Sequence, residues 1–435
     1  MNSSMDNTKP DAQKRTFRQT YFNLSVFQFI TFLRRGVFYT FMITYLHMLM
    51  GTVTWTAALG TLNMIGSSLG QNLLWGRICD KYKVRTKLII SGEMIAALTY
   101  ALVFYIHRFL RDTGSNFNAG LSLILGLSIL EFFWSMSDVG WTALLTDITT
   151  PQVRGRVIGT LNFIASVGRM AGVLYSGFLY NDGEGFQNGT IFYIVIALLL
   201  TGVSLMIFTS RRMKTEKTEE RCTAATATRE KDASDKHNER KYRTFLISLI
   251  VVVLGAASIN QIFLLFLQLP NGLNFSDPQV TLVVSAWTIG GMIASLAAGR
   301  LSDRLGRVKV LLIGLILAIA TPLFYSFASS VPLMSIVYGL NGMSFWTIQT
   351  VGFVFAGDLI PTEKRGRLLG RYNTVIALSW GPAGLLIGGP LADLQVGRLG
   401  LSPLTAYGNA FYASSVIVLI GTGLFIAKIV RSKPR

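Results

Sequence analysis

Twelve apolar runs of roughly 20 residues, each long enough to cross about 30 Å of hydrocarbon as a helix, dominate this chain and decide its solvent. They lie near 24–46, 55–75, 87–107, 119–145, 157–180, 190–209, 244–269, 279–298, 309–328, 331–356, 368–391 and 408–429. A water-soluble core of 435 residues has no use for so many. With 51% hydrophobic and only 14% charged residues, the chain suits a lipid solvent, in which backbone polar groups must be satisfied inside each segment and helices result. Glycine inside the runs is no objection, because helices in lipid pack through small residues. The expected fold class is an all-α integral membrane protein with twelve transmembrane helices.

Two short signatures between the runs each occur twice, in the same order. Gly76-Arg77-Ile78-Cys79-Asp80-Lys81 returns as Gly299-Arg300-Leu301-Ser302-Asp303-Arg304. Asp147, followed by Arg154-Gly155-Arg156, Gly159 and Asn162, returns as Asp358, Arg365-Gly366-Arg367, Gly370 and Asn373. Such spacing implies a duplication, hence two pseudo-symmetric six-helix halves. The organisation read from this is a polar tail over 1–21, a first half over 22–210, a linker over 211–243, a second half over 244–430 and a short tail over 431–435. The linker mixes charge of both signs with a Thr-Ala-rich stretch and lacks apolar periodicity, so it reads as a solvated tether.

The formal charge of +18 raises the possibility of nucleic-acid binding, and its placement answers it. With twelve crossings and the N-terminus inside, all but six of the 40 Lys and Arg fall in cytoplasmic segments. The exceptions are Arg108, Arg111 and Arg398 outside, and Arg34, Arg35 and Arg169 within spans. This positive-inside bias orients the chain with both termini cytoplasmic in the cell membrane, and leaves no case for a nucleic-acid surface. Inner basic residues are also expected to meet anionic lipid headgroups. The opening stretch is polar and the apolar run after it too long for a signal peptide, so the first helix is expected to direct insertion itself. Cys79 and Cys222 fall in inner loops, where no disulfide is expected. The sequon Asn188-Gly189-Thr190 lies on the outer side and decides nothing.

The paired signatures resemble those of the major facilitator superfamily, over nearly the whole chain from Phe22 to Val430. The family's loop signature is close in the second half, Gly299 to Arg307, and degenerate in the first, where Lys83 stands for Gly306 and Val84 for Arg307. The resemblance implies a secondary transporter that alternates access to a site between the halves. It also implies a cytoplasmic gate: Asp80 facing the start of the eleventh helix, Asp303 the start of the fifth, with Arg154, Arg156, Arg365 and Arg367 as partners. Gly76, Gly299, Arg304 and Arg307 complete the gate signatures. A glycine at a helix end would let these short connections turn sharply.

Chemistry is sought inside the spans, where a charge costs roughly 2.5–3.5 kcal/mol or more and therefore faces a cavity or a partner. Arg34, Arg35, Glu131, Asp138 and Arg169 are the candidates, with Glu93 read as structural or peripheral. Arg34 and Arg35 point about 100° apart, so one can meet solute while the other braces a neighbour. Glu131 and Asp138 are candidate partners of Arg169 and candidate proton carriers. The second half offers neutral groups, Asn260, Gln261, Asn341 and Gln349, with Trp346 as an aromatic surface; Gln268 shares this polarity. A solute between the halves would meet ions on one side and amides on the other.

Gly159, Gly168, Gly172 and Gly177 partly match the glycine-rich antiporter signature of that superfamily, which inclines the reading to proton-coupled export. Helix contact would select the same small residues. Uptake or exchange of an organic anion through the intramembrane arginines is the alternative, and a solute receptor that does not transport is another. The expected partners are a small-molecule substrate, protons and lipid, with the monomer as the working unit. No phosphate-binding loop is present, and His47, His107 and His237 are scattered. No enzyme activity, cofactor or metal site is expected.

Overall fold

A computed structural model describes the backbone of residues 8–149, 151–216, 235–360 and 365–430, and the side chains within 19–149, 157–211, 239–360, 371–430 and at 368. These residues form twelve rods. The first half holds α1 (Thr8–Tyr39, resumed as Met42–Met50), α2 (Val53–Leu69, continued through Gly70–Trp75 and Gly76–Tyr82), α3 (Arg85–Asp112), α4 (Asn116–Ile148), α5 (Pro151–Tyr180) and α6 (Thr190–Glu216). The second holds α7 (Asp235–Ala257, resumed as Asn260–Leu267), α8 (Asp277–Leu305), α9 (Arg307–Tyr325), α10 (Val331–Asp358), α11 (Arg365–Ala383, continued to Gly397) and α12 (Pro403–Phe425, with a last turn to Val430). Residues 217–234 of the expected linker lie outside the described residues, and Cys222 with them.

Nine of the helices among the described residues are long and apolar enough to span a membrane alone. The other three fall short for visible reasons. α1 carries Arg34 and Arg35 and is interrupted before Met42; the regular part of α2 is only 17 residues; α10 carries Asn341, Ser344 and Gln349. Large apolar side chains such as Leu98, Phe178, Ile336 and Leu386 stay on the outside of the bundle, 62–74% exposed. A protein in water would bury them; lipid accepts them.

The interruptions in α1 and α7 are counterparts. Phe41 and Ile259 carry the same backbone turn, φ near −100° with ψ near 0°, each directly after a hydroxyl residue, Thr40 or Ser258. Thr40 Oγ1 donates to Gly36 O at 2.5 Å, and Ser258 Oγ and Ser414 Oγ both donate to Gly255 O at 2.7 and 2.8 Å. Hydroxyls thus occupy carbonyls loosened by the break, which is what allows a broken helix at membrane depth.

Within each half the connection after the second rod turns at a left-handed residue: Lys83 at φ 51° and Gly306 at φ 91°. Gly76 and Gly299 were expected to serve these turns; both instead lie inside helices, and a Cβ on Gly299 would meet nothing within 4 Å. Lys83 holds a conformation that costs a non-glycine residue about 1 kcal/mol. Lys83→Gly is therefore expected to raise the melting temperature of the purified protein by a few degrees. An unchanged or lower value would show that Lys83 is not strained.

Candidate functional site

The break in α1 and the crossing of α5, α8, α10 and α11 leave a central cavity of about 190 Å³ between the halves. Arg35, Tyr39 and Thr40 line it from α1, Arg169 from α5, Asn260 from α7, Trp287 and Thr288 from α8, Tyr338 from α10 and Trp380 from α11. A recess beside it adds Asn341, Ser344, Phe345 and Gln349. Toward the basic end the first half alone carries a vestibule of about 660 Å³ among α2, α3 and α4, lined by Gln71, Asp80, Arg85, Asp138 and Asp147.

The two adjacent arginines of α1 have different surroundings. Arg34 is 1% exposed, donates to Tyr100 Oη at 3.1 Å and lies 5.0 Å from the centre of the Trp134 ring. Trp134 Nε1 and Ser137 Oγ in turn donate to the same oxygen of Glu93, at 2.9 and 2.7 Å, so Glu93 anchors a buried frame between α3 and α4. Arg35 turns to the cavity, its guanidinium 3.9 Å over the Trp134 ring and its Nη2 4.0 Å from Asp138 Oδ2, with Nε left without a partner. That ion pair is too long for a hydrogen bond. Glu131 is buried and accepts from Tyr39 Oη at 2.9 Å, so Tyr39 stands between it and the cavity.

Arg169 departs from the sequence expectation. Neither Glu131 nor Asp138 pairs with it; among the described residues it has no acidic partner, and its guanidinium lies 5.6 Å from the centre of the Trp287 ring. The glycines of α5 explain part of its placement. A Cβ on Gly168 would lie 2.5 Å from Phe29 O and one on Gly172 2.1 Å from Leu33 O, so α1 and α5 touch backbone to backbone and bring Arg35 and Arg169 to one void. Gly177 sits against Thr281, whereas Gly159 touches nothing within 4 Å.

The neutral half divides. Asn260, Asn341 and Gln349 face the cavity or its recess. Asn341 Oδ1 accepts from Trp287 Nε1 at 3.2 Å while its amide donates to Thr321 Oγ1 at 3.0 Å, which fixes the indole in place. Gln261 lies instead between α2 and α11, against Gly60 and Gly384, and Trp346 packs over Gly291. The aromatic surface of the cavity is thus Trp287 and Trp380, with Tyr39 and Tyr338, rather than Trp346. Helical spacing contains part of this: Tyr39 is four residues after Arg35 and Tyr338 three before Asn341. Gln268 sits at the far end, accepting from Thr44 Oγ1 and donating to Asp277, both at 2.8 Å.

At the basic end Asp80, Asp303 and Arg304 are exposed, and Asp80 and Asp303 pair with no described residue. The side chains of Arg154, Arg156, Arg365 and Arg367 lie outside the described residues. Arg307 does not reach across to the other half: its Nε meets Asp358 Oδ2 at 2.8 Å, and Arg85 makes the matching pair with Asp147 at 2.8 Å. Arg85 fills the first-half role one residue later than the register of Arg307 would put it. The halves meet at the opposite end. There Asp393 of α11 accepts from the amides of Val53 and Thr54, both at 2.9 Å, and Asp277 of α8 from the amide of Asp182 at 3.4 Å. Thr61 Oγ1 donates to Gly381 O at 2.9 Å, continuing the α2–α11 seam.

Two helical bundles that enclose a polar cavity between them and are joined by hydrogen bonds at one end define a multi-pass membrane transporter rather than an enzyme. The Major Facilitator Superfamily family model matches residues 24–269 and 245–435, and the chain belongs to that superfamily, whose architecture is twelve helices in two domains. It is 23% identical over 357 residues to the multi-drug resistance efflux pump PmrA homolog of Lactococcus lactis, covering 81% of this chain and 78% of that protein. It is also 23% identical over 335 residues to the cis,cis-muconate transport protein of Acinetobacter baylyi, covering 72% and 73%. The crystal structure of nucleoside transporter NupG superposes with a TM-score of 0.69 at 14% identity, covering 95% of this chain and all of that one.

Proposed function

We propose that the protein carries a small solute across the cell membrane by alternating access, with its basic end cytoplasmic, and couples that movement to protons at Asp138. The observation that supports this most is the position of Asp138. It lines the open vestibule and faces Arg35, which lines the central cavity, across 4.0 Å. A carboxylate at such a junction can exchange protons with water on one side and alter the charge available to solute on the other. Glu131 is shielded behind Tyr39 and serves structure first. One chain holds the whole pathway, so the monomer is the working unit. Gly168, Gly172 and Gly177 of α5 are accounted for by helix contact, which lowers their weight as a sign of export, whereas Gly159 is not; the efflux relative supports that direction and the muconate relative does not.

Proteoliposomes enclosing a pH-sensitive dye test the coupling. Among organic anions, organic cations and sugars added outside, one class is expected to move protons together with itself. Asp138→Asn is expected to abolish that proton movement while solute exchange persists. Proton movement of wild-type size in the variant contradicts the assignment.

A further inference from the structure

The central cavity has a charge and shape that select a ligand class, and this inference rests on the proton-coupled reading of Asp138. Arg169 reaches the cavity with no acid opposite it, and Arg35 shares one carboxylate at a distance that leaves its Nε unpartnered. The cavity wall itself presents two guanidinium groups and no carboxylate among the described residues, with Asp138 behind Arg35 and Glu131 behind Tyr39, so its surface is positive and an anion would offset it. Trp287, beside Arg169, and Trp380 supply flat apolar surface in the same cavity, and Asn260 a neutral hydrogen-bonding group. A volume of about 190 Å³ equals on the order of six waters, so the ligand is small.

We infer that the cavity binds a small aromatic monocarboxylate, its carboxylate on Arg169 and Arg35 and its ring against Trp287 and Trp380, and that a proton on Asp138 strengthens the binding. The sign follows from the pair. Ionised Asp138 competes with the ligand for Arg35, and protonated Asp138 releases it, so proton and anion bind together and travel together. The charged groups around Asp138 are Arg34 and Arg35 from α1, Glu93 from α3 and Glu131 from its own helix, with Asp80, Arg85 and Asp147 in the vestibule. Arg34 and Glu93 are held in the buried frame around Trp134, Glu131 by Tyr39 and Arg85 by Asp147, which leaves Arg35 as the cation that Asp138 governs.

Binding of sodium benzoate to the purified full-length protein, read by calorimetry with benzamide and acetate as controls, tests this without transport. Benzoate affinity is expected to rise about tenfold from pH 7.5 to pH 5.5 in the wild type. In Asp138→Asn it is expected to stay at the high value at both pH values, because the amide no longer competes for Arg35. Benzamide lacks the charge and acetate the ring, and each is expected to bind at least about tenfold more weakly. Arg169→Ala should lose about tenfold or more, and Arg169→Lys, which keeps the charge if alanine prevents folding, a smaller factor. Benzamide binding as well as benzoate, no benzoate binding at any pH, or a pH response that survives in Asp138→Asn would overturn the inference. Benzoate binding as described without proton movement in the dye assay would leave the ligand class standing and remove the coupled transport.

Discussion

Asp393→Ala unseals the closed end. The carboxylate of Asp393 caps the first turn of α2 from the other half of the molecule, one oxygen to each of the amides of Val53 and Thr54 at 2.9 Å. Thr52, at the N-cap position, makes no side-chain cap of its own, so the cap comes wholly from α11. Hydrogen bonds to a charged acceptor contribute about 1.5–3 kcal/mol each, and the freed amides regain water only if the seam parts. A net loss of about 3 kcal/mol for the sealed state corresponds to roughly a hundredfold shift in population. A membrane-impermeant maleimide applied from the closed side should then modify Leu264→Cys, which lines the cavity, about a hundred times faster in the Asp393→Ala background. Asp393→Asn, which keeps one acceptor oxygen, should fall between. Equal labelling rates in all three would show that the seam is held elsewhere.

Gly172→Leu should be the most damaging single change in the first half. Its Cβ would sit 2.1 Å from Leu33 O and 2.9 Å from Val37 N, both backbone atoms that cannot move aside alone. Gly36 faces it with its own Cβ position 2.4 Å from Arg169 O, so α1 would have to lift away from α5. Overpacking of a tight contact costs about 1–3 kcal/mol and more when backbone is displaced, and here it also separates Arg35 from Arg169. Little monodisperse protein should be recovered, with a melting temperature lowered by many degrees. Gly159→Leu, placed where nothing lies within 4 Å, should be near neutral. The contrast is informative because both glycines belong to the partial antiporter signature. Equal damage at the two positions would mean that the signature acts through something other than helix contact.

Much of the architecture is written in the sequence at the scale of whole segments. Apolar runs and a duplicated pair of loop motifs are enough for two six-helix halves, because lipid admits only helices or closed barrels and runs of about 20 residues fit the helix. Finer features escape for particular reasons. The left-handed turn at Lys83 carries no glycine, so the loop of the first half looks degenerate although it too turns at a positive φ. Arg85 finds Asp147 because that turn shifts the helix start by one residue, which motif alignment does not register. Trp287 and Trp380 read as ordinary span aromatics, and only the crossing of α8 and α11 brings them to one void with Arg169. The absence of an acid opposite Arg169 was unreadable too, since pairing across helices depends on rotation about their axes. Asp393, one acid near the end of a run, gives no sign in sequence that it caps another helix more than three hundred residues away.

Distance distributions between spin labels test the central claim, that a proton on Asp138 drives exchange between ends. One pair, at Tyr82 and Leu305, reports the basic end, and a second, at Met48 and Leu399, the closed end; all four positions are exposed. Between pH 7.5 and pH 5.5 the two distances should change in opposite senses in the wild type and stay fixed in Asp138→Asn. Distances that ignore pH, that change in the same sense, or that respond equally in the variant would contradict it.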